Sequence, residues 1–239
     1  MKQLDKIKYG ERFFYGDVAW VRIPCRSNTG TLVIAEAPIF EWAFDTHNNN
    51  DWRDSSLRRE LNGTFLNSMI DNGAAAEAFF NFSSNLIADD GTTDYGYVED
   101  KVTIPSAEIY RIMRGEIPRY EGIWWTLTPT TCNIENAQYV RAVMPDGTIT
   151  NREANFEMAG VRPVCFLRLD TLVYTEEEKK QGQREQSVKE GAEAVIETLE
   201  EYGTALWAEI IVEVIKAIFA IKKDAKELAQ EILDTREET

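Results

Sequence analysis

The chain has 239 residues, of which 44% are hydrophobic and 11% aromatic, so it can form a core and is not wholly disordered. Its length fits one domain, or one domain with an appendage. Its net charge is −15. Because binding to nucleic-acid phosphates or to an anionic membrane surface needs clustered Lys and Arg, this charge disfavours both.

The first residues and the cysteines predict a chain that stays in a reducing compartment. Residues 1–7 lack the apolar run and the cleavage site of a secretory signal. Cys25, Cys132 and Cys165 form no C-x-x-C pair, so neither a disulfide framework nor a zinc site is expected. Cys165 lies in an apolar run and is expected to be buried. The single histidine, His47, lies in a polar stretch and is expected to be a solvated loop residue.

Residues 1–174 have the pattern of short strands separated by turns. Val18–Ile23 and residues 31–35 are two β-branched and aromatic runs, and the polar residues between them predict a hairpin turn. A second hairpin is predicted downstream, where Pro145-Asp146-Gly147 separates Tyr139–Val143 from residues 148–150.

Two helices and one long loop are predicted between these hairpins. Apolar residues at intervals of four predict a helix over residues 55–70, which Ser55 can cap. A second helix is predicted over residues 106–113, with Ser106 as its cap. Residues 72–98 are small, polar and rich in glycine, which predicts a long irregular loop.

The composition changes near Thr175. Residues 176–239 hold 17 acidic and 9 basic side chains, and Gly and Pro become rare. We therefore divide the chain into a first domain over residues 1–174, an acidic linker or helix start over 175–202, and an amphipathic to apolar helix over 203–239.

The helix predicted over residues 203–239 carries two apolar stripes side by side. One helix can hide one stripe on its own domain, so two stripes favour burial against another copy or another protein. Packing on its own domain is the alternative. A membrane span is disfavoured, because Glu209, Glu213 and Lys216 interrupt the apolar stretch. The predicted interface residues are Leu206, Trp207, Ile210, Ile211, Val214, Ile215, Ile218, Phe219 and Ile221.

Several motifs in the first domain follow one another in a fixed order. They comprise a W-x-x-S-x-L-R-x-x-L-N run, a D-x-V strand start, a W-W-x-x-x-P strand, a hairpin and a G-V-R-P turn. Their key residues are Trp52, Ser55, Leu57, Arg58, Leu61, Asn62, Trp124, Trp125, Gly160, Arg162 and Pro163. This order resembles the family called domain of unknown function 6273, which occurs in bacterial, prophage and phage proteins. The resemblance covers residues 7–169.

The resemblance implies an α+β, C-type-lectin-like fold related to the sulfatase-modifying-factor type. In that fold a small twisted antiparallel sheet and two helices support long loops. The family's W-W-L-R-S-P motif has lost its arginine here, where Leu127 stands in its place. Any ligand role of that arginine is therefore not expected in this chain.

The motif residues themselves have mainly structural explanations. Trp124 and Trp125 are suited to a core beneath loops. Arg162 is expected to be buried, with its guanidinium group holding loop carbonyls or a carboxylate, and Arg58 is expected to act similarly. The candidate carboxylate partners are Asp51, Asp54 and Asp100.

The sequence bears on three classes of function: an enzyme, a lectin and a structural or interaction protein. An enzyme is not expected, because the cysteines show no local pairing and His47 is the only histidine. A calcium-dependent lectin is disfavoured, because Met144-Pro145-Asp146 is explained by a turn and no W-N-D follows. Neither a metal nor a cofactor is therefore predicted. Sugar binding without a metal remains as an alternative, through the loop aromatics Tyr95, Tyr97 and Tyr120.

The interpretation that accounts for most features is a non-enzymatic structural or interaction protein. A lectin-like domain would be displayed by a C-terminal helix that oligomerises or docks on another protein. The resemblance to phage proteins implies a virion-associated role, on a head, tail or fibre, after synthesis in the bacterial cytoplasm. The expected partners are the protein itself or another virion protein, with a surface glycan as the alternative ligand.

Overall fold

The computed structural model describes residues 1–25 and 27–201, together with Glu213 and Lys216. In this part of the chain the fold is α+β, with mostly strands, few helices and a curled, half-barrel sheet. The chain divides into two compact units, Met1–Lys179 and Lys180–Thr239. The two predicted stripes and their nine interface residues, from Leu206 to Ile221, lie outside the described residues.

The first unit is built from short strands. In chain order they are β1 (Lys2–Gln3), β2 (Arg12–Tyr15), β3 (Val18–Ile23), β4 (Gly30–Ala35), β5 (Phe40–Glu41), β6 (Phe79–Phe80), β7 (Phe82–Asn85), β8 (Tyr97–Asp100), β9 (Val102–Thr103), β10 (Trp124–Pro129), β11 (Tyr139–Val143), β12 (Ile149–Glu153), β13 (Gly160–Val161), β14 (Val164–Arg168) and β15 (Leu172–Val173).

The largest sheet is centred on β14. Its order is β2-β3-β4-β14-β6, and β9 pairs with β14 beside β6. The pairing of β3 with β4 is antiparallel and places Val21 opposite Ile34, which confirms the first predicted hairpin. Because β14 comes late in the chain, it joins elements that are far apart in sequence, as the pairing of Cys165 with Val33 shows.

The second sheet has the order β12-β11-β10-β13-β5. Its β11–β12 hairpin confirms the second prediction, and Gly147 forms the turn with a positive φ of 80°. One parallel contact, between Trp124 and Gly160, joins β10 to β13. This contact brings the W-W and G-V-R-P motifs together.

Two smaller pairings complete the unit. Strands β1 and β15 pair antiparallel and close its two ends. Strands β7 and β8 form a hairpin, so the prediction of one irregular loop over residues 72–98 is wrong. The phenylalanines at 79, 80 and 82 favour extended pairing, and only residues 86–96 remain a loop between strands.

The two helices predicted in the first unit are present. The first is α1 (Ser56–Glu60), which continues through a π-helical turn (Leu61–Phe65) into α2 (Leu66–Asp71). The Ser55 side chain caps it by accepting from the Arg58 backbone N–H. The second is α3 (Ala107–Met113), capped in the same way by Ser106.

The main hydrophobic core lies where the sheets meet the first helix. It contains Trp20, Trp52 and Trp125, each at most 1% exposed. The Phe44 ring contacts two of them, with centroid distances of 5.5 Å to Trp52 and 5.9 Å to Trp125. A smaller cluster is built around Trp124 and Tyr110.

Helix α4 (Glu176–Glu201) begins in the first unit. Thr175 and Glu178 form a capping box: the Glu178 carboxylate accepts from the Thr175 backbone N–H at 2.9 Å, and the Thr175 hydroxyl accepts from the Glu178 N–H. Every residue from 180 to 191 is exposed. Among the described residues, no helix is both long and apolar enough to cross a bilayer.

Candidate functional site

The Arg162 side chain binds two other segments of the backbone through three carbonyl groups. It is 0% exposed, and its guanidinium group donates to the carbonyls of Ala35, Glu36 and Pro118 at 2.7–3.2 Å. It also lies 5.1 Å from the centre of the Trp124 ring. Burial lowers the pKa of Arg162 to about 10, against the opposing influence of Glu36 and Tyr110. The predicted burial is confirmed, and of the alternative partners the carbonyls are the ones found.

The three candidate carboxylates are engaged elsewhere or exposed. Asp51 pairs with Arg53 at 2.6 Å, and Asp54 is exposed. Asp100 is buried and accepts from the Trp52 indole N–H at 2.9 Å and from Arg58 Nε at 2.8 Å. The W-x-x-S-x-L-R motif is therefore a structural junction between the first helix and β8.

Asn62 completes this junction. Its amide oxygen accepts from the backbone N–H of Lys101 and Val102, and its amide nitrogen donates to the Val102 carbonyl at 2.8 Å. Leu57 and Leu61 are fully buried beside it. The Asn62 side chain thereby forms hydrogen bonds with the backbone at the bend between β8 and β9, as a neighbouring strand would.

The remaining motif residues also support the scaffold. Trp125 donates its indole N–H to the Trp42 carbonyl at 2.8 Å. The Pro163 carbonyl accepts from the Ala35 N–H at 2.9 Å. The key motif residues therefore stabilise the fold. A ligand would bind at the loops that these residues support.

Those loops are tied together by Asp89. Its carboxylate bridges Arg111 at 2.9 Å and Arg141 at 2.6 Å. Burial would raise the pKa of Asp89, but the hydrogen bond from Arg111 and the charges of both arginines lower it overall. The backbone N–H of Asp89 donates to the Pro129 carbonyl, which attaches the 86–96 loop to the end of β10.

One open cavity lies between β7 and α3, and we call it the β7 groove. Its volume is about 480 Å³, within the range typical of ligand sites. Its residues mix apolar and polar side chains, and they are Phe82, Ser83, Ser84, Asn85, Ile87, Ala88, Asp89, Ile104, Ser106, Glu108, Ile109, Arg111, Leu127 and Thr128.

A second open cavity of about 440 Å³ is lined by Tyr95 of the 86–96 loop, and we call it the Tyr95 pocket. Tyr95 donates its hydroxyl to Asn50 Oδ1 at 2.8 Å, and Arg53 lies over its ring. Burial, with Cys132 and Asp51 nearby, raises the pKa of Tyr95 to about 12. The residues around this cavity are Asn48, Asn49, Asp51, Tyr95, Cys132, Ile134, Ala137 and Gln138.

The three tyrosines predicted to bind a ligand lie at different places. Tyr95 lines the Tyr95 pocket, whereas Tyr120 packs beside Trp124 in a cavity of only about 50 Å³. Tyr97 is 69% exposed on β8 and lines neither cavity. The structure therefore does not bring the three into one site.

The three cysteines and the single histidine differ in their exposure. Cys165 is fully buried, and burial raises the pKa of its thiol. Cys25, Cys132 and Cys165 are all free thiols, and the His47 side chain is 83% exposed. In the described ranges, no group of three His, Cys, Asp or Glu residues is placed to hold a metal ion.

Sequence reasoning missed the residues that shape the loops. Asn50 is fully buried and donates to the carbonyls of Thr131 and Tyr139, and Asp45 accepts from three backbone N–H groups. The run of Asn and Asp over residues 45–51 could have indicated these roles, since such side chains form hydrogen bonds with the backbone N–H and C=O groups of loops.

Comparisons with known protein families, curated proteins and solved structures found no match for this chain.

Proposed function

We propose that this protein is a non-enzymatic interaction module, in which a C-type-lectin-like domain is displayed by a C-terminal segment that associates with another chain. The observation that carries the proposal is the character of α4. Residues 180–194 of this helix are mostly polar and exposed, apart from the half-buried Ala192. A helix of this kind suits a solvated spacer between two parts of a chain.

The start of α4 is held by ion pairs within the first unit. The α-ammonium group of Met1 pairs with Glu178 at 2.5 Å, and Arg12 pairs with Glu176 at 3.4 Å. Lys179 pairs with Asp17. Farther along, Gln181 donates to Glu185 and Gln186 to Glu190, each across one helical turn. The three ion pairs hold the first turn of α4 on the first unit.

The lectin-like assignment has support of its own. The first unit consists of short, mostly antiparallel strands with two short helices, its end strands β1 and β15 pair, and loops line the Tyr95 pocket. This arrangement agrees with what the resemblance to the phage and prophage family implies. We propose on that basis that the protein is part of a virion, as a component of the head, tail or fibre.

The test is native mass spectrometry of the full-length protein. We expect an oligomer, and we expect Ile211→Asp to shift it to monomers, because an unpaired charge in a buried apolar interface costs several kcal/mol. Glu213→Gln is the matched control: Glu213 is 71% exposed and pairs with Lys216, so this variant should remain oligomeric. A monomer at every concentration, alone and with the particle's other proteins, would refute the proposal.

A second candidate function is carbohydrate binding without a metal. The observation that favours it is the Tyr95 pocket, where amide and carboxylate side chains stand beside an aromatic ring and Ile134, which is 89% exposed. Planar polar groups bind sugar hydroxyls, and apolar groups cover the faces of sugar rings.

Glycan-array screening followed by calorimetry tests this candidate. We expect Gln138→Ala, which removes a pocket amide, to weaken binding at least about tenfold, the loss of roughly one good hydrogen bond. Tyr97→Ala should bind like the parent protein, because Tyr97 lies outside the pocket. Absence of binding at millimolar glycan would exclude the candidate.

A further inference from the structure

We propose that the outer edge of β7 is a docking site for an extended peptide segment of a partner protein, which adds to β7 as a third strand of the β7–β8 sheet. The segment would carry apolar side chains toward the β7 groove and a basic side chain toward Glu108. Every residue of this surface belongs to the first unit, and the inference does not depend on the oligomer proposed above.

The pairing of β7 with β8 shows which backbone groups face outward. Leu86 donates its N–H to the Gly96 carbonyl at 2.9 Å, in the same register as the β7–β8 pairs. Because hydrogen-bonded pairs alternate along an antiparallel ladder, Ser84 and Phe82 bond to β8. The N–H and C=O groups of Ser83 and Asn85 therefore point to the outer edge, where no other described strand pairs with them.

The β7 groove runs along this edge. All four residues of β7, Phe82–Asn85, line it. Successive side chains point to opposite faces of a strand, so a cavity that touches all four lies alongside the edge. The far wall is formed by α3 and the end of β10, through Ile109 and Leu127.

The chemistry of the edge specifies the occupant. Unpaired backbone donors and acceptors in a row match an extended polypeptide, which offers the same groups at the same spacing. Ile104, Ile109 and Leu127 supply an apolar surface for alternate side chains of that segment.

The charges at the rim specify a basic side chain. Arg111 shares the Asp89 carboxylate with Arg141, at 2.9 and 2.6 Å. Glu108 is exposed at the rim and makes no ion pair with a described residue. Glu108 is therefore the rim carboxylate that a basic side chain can pair with, on a chain whose net charge is −15.

The experiment is selection of a displayed random heptapeptide library on the immobilised full-length protein, with the Ser83→Pro variant for counter-selection. Proline removes the outward N–H of Ser83 but no bond to β8, so an edge strand tolerates it. Ser83→Ala is the matched control, because it changes the side chain and keeps the N–H. Circular dichroism verifies that both variants are folded.

We expect enriched peptides that combine β-branched residues with Lys or Arg. They should bind the parent protein and Ser83→Ala equally, and Ser83→Pro at least about tenfold more weakly, the effect of roughly one lost hydrogen bond. Hydrogen exchange at the outward amides of Ser83 and Asn85 should slow when peptide binds. Glu108→Gln should reduce the preference for basic peptides.

Three outcomes would overturn the proposal. One is that no peptide separates the parent protein from Ser83→Pro. Another is that bound peptides leave the exchange of Ser83 and Asn85 unchanged. The third is that Ser83→Pro alters the oligomeric state, because the edge would then be occupied by a second copy.

Discussion

At the scale of single residues, the sequence allowed the burial of certain side chains to be predicted, but not their partners. Arg162 stands next to Pro163 and an apolar strand, and its burial followed from that context. Its acceptors, including Ala35 and Pro118, are far away in sequence. No local pattern links them, because carbonyl acceptors are present at every residue and only the tertiary fold selects among them.

We expect Arg162→Lys to lower the free energy of unfolding by about 2–3 kcal/mol. The single ammonium group of lysine cannot reach all three carbonyls that the planar guanidinium group serves, and each buried acceptor left without a donor costs about 1–3 kcal/mol. Chemical denaturation measures this change. Arg168→Lys is the control: Arg168 is exposed and pairs with Asp170, so this variant should unfold at nearly the same denaturant concentration as the parent protein. Equal effects of the two substitutions would contradict the anchoring role.

At the scale of secondary structure, local signals identified the elements whose partners are close in sequence. Both predicted hairpins formed around turn residues, and both predicted helices began at their serine caps. Strands β6 to β8 were missed, because β6 pairs with β14, about ninety residues later, and because Gly and Asp residues dominate the local pattern. The two cavities were not predictable either, since each is lined by segments that are far apart in sequence.

We expect Gly160→Ala to lower the free energy of unfolding by about 1–3 kcal/mol, as overpacking does in a tight contact. A Cβ at this position would lie 2.6 Å from Pro38 Cγ and 3.3 Å from the Ile123 carbonyl, so β13 and the Pro38 segment would have to move apart. Gly63→Ala is the matched control, because no atom lies within 4 Å of a Cβ there. Thermal unfolding of the two variants makes the comparison. A loss of stability in both would point to backbone effects of alanine and not to packing.

At the scale of the whole molecule, the change in composition near Thr175 and the change in structure lie close together. Helix α4 begins at Glu176, and the division between the compact units falls after Lys179. A composition boundary is visible in sequence, because a solvated polar helix and a strand-rich core need different residues. What the first unit binds depends on surfaces formed by residues that are far apart in sequence. Those surfaces could not be predicted without the three-dimensional structure.

The position of β14 has a consequence for how the protein is made in the cell. Strand β4 ends at Ala35 and β14, its partner in the largest sheet, begins at Val164. At about 5–20 residues per second, the ribosome needs roughly 10 s to synthesise the chain between them. During this interval the nascent β3–β4 hairpin presents an open apolar edge, which favours aggregation at high expression and makes it a binding site for chaperones.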